Sequence, residues 1–299
     1  MKRLRSLAAA LGVLALAATG CGGDKEVGGG GTSTPYEIVS NPSFDAGTTM
    51  DQLAKAKKIV IGVKFDQPGI GNKNPATNKV EGFDIEIAKI IAGQLGIDYN
   101  NDSQFELRET VSKNREPFIQ NGTVNMVVAS YSITDKRKKT VSFAGPYYVT
   151  GQDLLIRKED AGTITGPDAL GGKKVCSVTG STPLENIETN YKEAKAVAYS
   201  TYTECVDQLE TKQVDAVTTD GAILLGYAAR NPEQLQVVGK TFSTEKYGIG
   251  LKKDDAAFRS FLNSTLEKAI ANGDWKKAYD ATLGKSGSEA PQPPALEKY

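Results

Sequence analysis

Histidine is absent from the 299 residues, and cysteine (3), methionine (3) and tryptophan (1) are scarce. Without imidazole, a histidine-based catalytic triad, a histidine acid or base and the usual zinc ligand sets are excluded. An excess of one charge is also missing: 36 Lys and Arg face 36 Asp and Glu, and setting aside Lys2, Arg3 and Arg5 leaves a slight acidic surplus. The footprint of a nucleic-acid or acidic-membrane binder is therefore not visible. Nor does any stretch reach the about 20 apolar residues that a membrane-spanning helix needs.

The apolar run Leu7 to Ala18 follows the basic start and ends in Ala18-Thr19-Gly20-Cys21. Its length and small-residue end read as a removed targeting segment over residues 1–20, with Cys21 placed to accept lipid. An ordinary secretory signal with an incidental cysteine is the alternative. A protein anchored by lipid to the outer face of the cytoplasmic membrane is expected. Residues 21–45, with Gly28 to Gly31, Thr32, Ser33, Thr34 and Pro35, have little to bury and read as a flexible tether. The Pro- and Gly-containing end, 286–299, reads as a flexible tail. About 235 residues remain, enough for one large domain or two ordinary ones. With Cys21 acylated, Cys176 and Cys205 are left in a compartment where disulfides persist, and pairing is expected, with two buried free thiols as the alternative.

From Ile59 the chain alternates short apolar runs with amphipathic stretches. Ile59 to Val63, Phe105 to Leu107 and Val124 to Ala129 read as strands, and Phe83 to Leu95 and Pro117 to Ile119 as helical. Ile87, Ile90, Ile91 and Leu95 recur at helical spacing before Gly96. The order repeats with strands at Lys174 to Val178, Val197 to Tyr199 and Val214 to Thr218, and helices at Pro183 to Lys192 and Cys205 to Leu209. Two open α/β lobes of one design follow: 46–147 plus 243–285, and 148–242. Pro146 to Gly151 and Gln236 to Phe242 would join them as a two-strand hinge, and closure about such a hinge buries a ligand.

Chemistry gathers where strands end and helices begin. Ser130-Tyr131-Ser132-Ile133-Thr134-Asp135-Lys136-Arg137 follows one strand, with Ser132 and Asp135 spaced as a capping box. Arg137 falls in a first helical turn, where a cation is disfavoured unless an anion meets it, so a bidentate carboxylate clamp is its expected role. In the other lobe Gly180-Ser181-Thr182-Pro183-Leu184-Glu185 reads as a helix start with Thr182 as N-cap, Pro183 as first helical residue and Glu185 as capping partner. Asp220, just past a buried strand, suits an ammonium group, with a turn or cap aspartate as the alternative.

Together these stretches, with Glu81 to Ala88, Phe143 to Tyr148 and Val214 to Ala216, resemble the amino-acid-binding proteins of ABC importers, the periplasmic-binding-protein family for polar amino acids, over about residues 50 to 285. The resemblance implies a two-lobed type II periplasmic-binding-protein fold, with no cofactor and a membrane permease as partner. It also implies that Arg137, Ser132 and Thr182 hold an α-carboxylate and Asp220 an α-ammonium. Ser130 stands where many relatives have glycine. Val111-Ser112-Lys113-Asn114-Arg115 resembles the segment of the glutamate and aspartate branch whose serine and arginine meet a side-chain carboxylate. Lys64, after the first strand, would be a second cation, and Lys113 a solvated one.

A monomeric glutamate receptor without covalent chemistry is the expectation these residues support. A glutamine or general polar amino-acid receptor would want amide partners in place of Arg115 and Lys64. An enzyme acting on small carboxylic acids would need Glu185 or Glu245 as its acid. A sensor for a membrane signalling partner would use the same lobe faces.

Overall fold

A computed structural model describes residues 36–286 and 289–298, so the targeting segment, Cys21 and the first part of the tether lie outside the described residues. The chain order opens with α1 (Thr49–Ala56), β1 (Ile59–Val63), β2 (Asp66–Gln67), β3 (Gly71–Lys73), β4 (Val80–Glu81) and α2 (Phe83–Gln94). It continues through β5 (Phe105–Glu109), α3 (Arg115–Gln120), β6 (Met126–Val127), α4 (Asp135–Lys138) and β7 (Ser142–Thr150). A second series follows: β8 (Gln152–Arg157), β9 (Lys174–Val178), α5 (Thr182–Asn190), β10 (Lys195–Tyr199), α6 (Tyr202–Glu210), β11 (Ala216–Asp220), α7 (Gly221–Arg230) and β12 (Leu235–Val237). The chain then returns through β13 (Glu245–Leu251), α8 (Ala256–Ala271) and α9 (Asp274–Ala281).

Two five-stranded mixed sheets, β5-β1-β6-β13-β7 and β10-β9-β11-β8-β12, define two lobes of matching design. In each, the central pairs are parallel, β1 with β5 and β6 in one and β9 with β10 and β11 in the other, and the strands that carry the chain between lobes run antiparallel. Ile59, Ile61 and Val63 in β1, and Val175, Cys176 and Val178 in β9, are fully buried, as continuous apolar runs in covered parallel strands require. On α2, Ile87, Ile90 and Ile91 pack inward, and Phe83 at its start meets Tyr148, Trp275 and Tyr279, so α9 covers lobe one from the far end of the chain. Cys176 on β9 and Cys205 on α6 form a disulfide with Cα atoms 5.6 Å apart.

The sequence-based boundaries shift in four places. Lobe one extends beyond 147, because β7 stays paired with β13 as far as Thr150 opposite Glu245, and the first crossing falls at Gly151. The return crossing comes later than Gln236, since Gln236 and Val237 pair with Ile156 and Leu155 as an edge strand of lobe two, and Phe242 N–H still donates to Gln152. Part of the expected tether belongs to the fold. Tyr36 is buried with its backbone N–H and C=O both bonded to Tyr99 Oη at 2.7 Å, Val39 N–H donates to Gly93, and the Phe44 ring meets Phe261 edge-on. The expected flexible tail is instead a strap over residues 289–298. Glu297 N–H donates to the Gly145 carbonyl at 2.8 Å, its carboxylate bridges Lys246 (2.6 Å) and Lys138 (3.7 Å), Lys298 pairs with Glu267, and Ala290 and Leu296 pack on the core. Two apolar side chains and a few ion pairs dock a segment whose composition reads as solvated.

Candidate functional site

Strand ends and helix starts of both lobes face one cleft, lined by Ser112, Arg115, Ser130 and Ser132 from lobe one and Ser181, Thr182, Pro183, Tyr202, Thr219, Asp220 and Ile223 from lobe two. The lobes touch across it: the Gly180 carbonyl accepts from Arg115 Nη2 at 3.2 Å and from Arg137 Nη2 at 3.0 Å. Six of the eight binding residues expected from sequence line this cleft. Lys64 and Arg137 stand directly behind lining residues, bonded to Ser112 and to the Ser132 carbonyl.

The cationic side is built on a tyrosine. The buried ring of Tyr131 carries the Arg115 guanidinium 4.4 Å from its centroid and that of Arg137 at 5.0 Å, an arrangement favoured by the ring's negative face. Carbonyls fix the remaining geometry. Arg115 Nη1 donates to Ala129 and Ser130, and Arg137 Nη1 to Ser132 at 2.7 Å, while Arg137 Nε faces Glu116 at 3.3 Å. Burial, then the neighbouring Arg137, pushes the Arg115 pKa down to about 10. Lys64, 3% exposed, donates to Ser112 Oγ at 2.9 Å; burial foremost, then Arg115, pulls its pKa down to about 7. Lys113 is exposed, as expected.

Ser130 adopts φ +41°, the left-handed region that favours glycine, and is held there because its N–H donates to Asp84 Oδ2 at 2.7 Å. Asp84, the fully buried second residue of α2, also accepts from Tyr147 Oη at 2.6 Å, and burial raises its pKa to about 6.

On the opposite wall Asp220 ends β11 and stands at the N-cap of α7, yet its side chain caps nothing. Oδ2 accepts from Tyr247 Oη at 2.6 Å, and Oδ1 is buried with no hydrogen-bond partner among the described residues. Burial, then repulsion from Glu245, raises its pKa to about 7. A buried carboxylate oxygen without a donor is costly unless a ligand supplies one.

Both caps read from sequence move. The N-cap of α5 is Ser181, whose hydroxyl accepts from Leu184 N–H, and Thr182 is the first helical residue; its hydroxyl donates to Glu245 Oε2 at 2.8 Å and meets Ser132 Oγ at 3.3 Å. Glu185 pairs with Lys136 across the lobes instead of capping. The N-cap of α4 is Thr134, accepting from Arg137 N–H, because Ser132 is taken by a bridge to Tyr247. Residues that sequence reasoning passed over are Ser181, Tyr202, Thr219, Tyr131 and Tyr247. The Thr201-x-x-Glu204 capping box, fully formed in the structure, marks the helix start that brings Tyr202 to the cleft. Tyr247 arrives from a distant strand with no local signal.

Residues 59–285 match the family model for bacterial extracellular solute-binding proteins, family 3. The chain is 40% identical over 233 residues to the glutamate-binding protein GluB of Corynebacterium efficiens, covering 76% of this chain and 79% of that one. It is 38% identical over 254 residues to the ABC transporter glutamine-binding protein GlnH of Bacillus subtilis, covering 84% and 91%. Among solved structures, an ancestral arginine-binding protein bound to glutamine superposes with a TM-score of 0.71 at 32% identity, over 76% of this chain and 98% of that one. A lobed α/β fold, a polar cleft between its sheets and a family match across nearly all of the folded residues agree: the chain belongs to the bacterial extracellular solute-binding proteins, family 3.

Proposed function

We propose that this chain is a receptor that captures free glutamate between its lobes at the outer face of the cytoplasmic membrane, anchored through Cys21, and hands it as a monomer to an ABC permease. The observation that carries the reading is the polarity of the cleft. A buried carboxylate with an open oxygen, Asp220 Oδ1, lies on one wall, and a cluster of buried cations, Arg115, Arg137 and Lys64, lies on and behind the other. An ammonium group on Asp220 and a carboxylate toward Arg137, Ser132 and Thr182 satisfy an amino acid's backbone. Arg115, Lys64 and Ser112 leave charge for a second carboxylate.

Glutamine is the second reading, favoured by the 38% identity to a glutamine-binding relative against 40% to a glutamate-binding one. An amide beside Arg115 and Lys64 leaves a buried cation unmatched, which costs on the order of 1 to 3 kcal/mol, so glutamate binds about ten to a hundred times tighter. Catalysis finds no free acid in the earlier candidates: Glu245 is engaged by Ser243 and Thr182, and Glu185 by Lys136. Isothermal titration with glutamate, glutamine and aspartate tests the assignment, and Arg115→Gln narrows the glutamate preference. Equal affinity for glutamine in the unmodified chain sinks the glutamate assignment while leaving the receptor reading in place.

A further inference from the structure

Helix α7 runs from Gly221 to Arg230 with a glycine, Gly226, in its interior, where alanine is the more favourable residue. Its backbone is ordinary helix, so no left-handed conformation calls for it. The neighbour does. A Cβ at Gly226 would collide with the carbonyl oxygen of Pro68 and stand 3.0 Å from that residue's carbonyl carbon and Cβ. Pro68 tips the β2–β3 hairpin, which belongs to lobe one, whereas α7 belongs to lobe two.

The hairpin is rigidly tied to its own lobe: Gly69 and Ile70 carbonyls accept from Phe83 and Asp84 N–H at the start of α2. From there it reaches lobe two at four points. Asp66 Oδ2 accepts from Tyr202 N–H at 2.8 Å at the start of α6, the Asp66 carbonyl accepts from Tyr227 Oη, Asn72 Oδ1 accepts from Arg230 Nη2 at 2.8 Å, and Pro68 presses on Gly226. Gly226 is not among the residues lining the cleft, yet its helix begins directly after Asp220.

We infer that the hairpin and the Gly226 face of α7 form a latch that makes Gly226 an affinity-determining residue remote from the ligand: the missing Cβ lets the lobes close, and closure sets the binding constant for every ligand by the same factor. This rests on the receptor reading, in which the lobes part and close. A receptor whose competent state is made rarer binds more weakly in proportion, whatever the ligand.

The test is Gly226→Ala in the full chain, titrated with glutamate and glutamine and melted without ligand. Alanine suits an open helix, so the ligand-free Tm stays level or rises by a few degrees. Affinity for both amino acids drops at least tenfold, their ratio is unchanged, and small-angle scattering at saturating glutamate shows a less contracted molecule than the parent. Arg230→Ala, which removes the bond to Asn72, weakens both ligands a few fold in the same proportion. A parental affinity in Gly226→Ala overturns the latch, and so does a ligand-free Tm lowered by several degrees, which would make the contact permanent packing. The receptor reading fails separately, at the wild-type titration, if no amino acid binds there.

Discussion

The ratio of glutamate to glutamine affinity falls with rising pH above about 7, and Lys64 is the reason. Buried against Ser112 and repelled by Arg115 and Arg137, with Asp66 and Asp84 as partial offsets, its ammonium loses its proton near pH 7 rather than near 10.5. A side-chain carboxylate at the cleft favours the charged form and raises that pKa; an amide does not. Below about pH 7 Lys64 is already protonated and glutamate binding takes up no proton there. Above it, each pH unit leaves a tenfold smaller charged fraction, worth about 1.36 kcal/mol, so between pH 7 and pH 9 the ratio drops up to about a hundredfold. Asp220 works in the opposite sense. Its raised pKa of about 7 is lowered by a bound ammonium, so both ligands weaken as pH falls through that value, and the effect cancels in the ratio. Glutamate affinity alone is therefore bell-shaped, whereas glutamine keeps only the acid limb. Titration calorimetry in two buffers of different ionisation enthalpy reads the proton uptake directly. Lys64→Met keeps the volume, removes a buried charge and abolishes the slope. A flat ratio from pH 7 to pH 9, or a slope that survives Lys64→Met, refutes the argument.

Two further outcomes follow from the same geometry. Arg137→Lys weakens every amino acid strongly, because an ammonium cannot reproduce the donors aimed at Ser132 and Gly180 while presenting a fork to a carboxylate; near-normal titration curves would take Arg137 out of the site. Replacing Cys176 and Cys205 together by alanine lowers the Tm by about 10 °C, since the crosslink spans 29 residues and such a loop contributes roughly 3 to 4 kcal/mol; an unchanged melt would show that the pairing does not hold the fold.

Where apolar runs are continuous or strictly periodic, the sequence locates elements closely. Ile59–Val63 and Lys174–Val178 coincide with β1 and β9, and the isoleucine pattern from Phe83 coincides with α2. Helix caps are harder, because Ser181 and Thr182 both qualify and proline is tolerated at either of the first helical positions; only packing decides that Thr182 turns toward Glu245. The site is half legible for a similar reason. Ser132 and Asp220 carry local signals of strand ends and helix starts, and Ser112 and Arg115 only a resemblance to the glutamate and aspartate branch, whereas Tyr247, which holds Asp220, comes from 27 residues further along the chain and the opposite sheet. The strap at 289–298 stays hidden because its anchors are two modest apolar side chains in a Pro-rich context.

Residues 36–44 and 289–298 both seat on lobe one, which assigns unequal mechanical parts to the two halves. The covalent chain crosses to lobe two at Gly151 and near Ser243, so a pull arriving through either flanking segment loads lobe one first and reaches lobe two through those crossings, the contacts across the cleft and the β2–β3 hairpin. Lobe one is thereby the stator and lobe two the rotor. A reporter inserted in the exposed turn near Gly162 rides the moving body, whereas cargo appended beyond Lys298 crowds Lys246 and Lys138 at the base of the pivot.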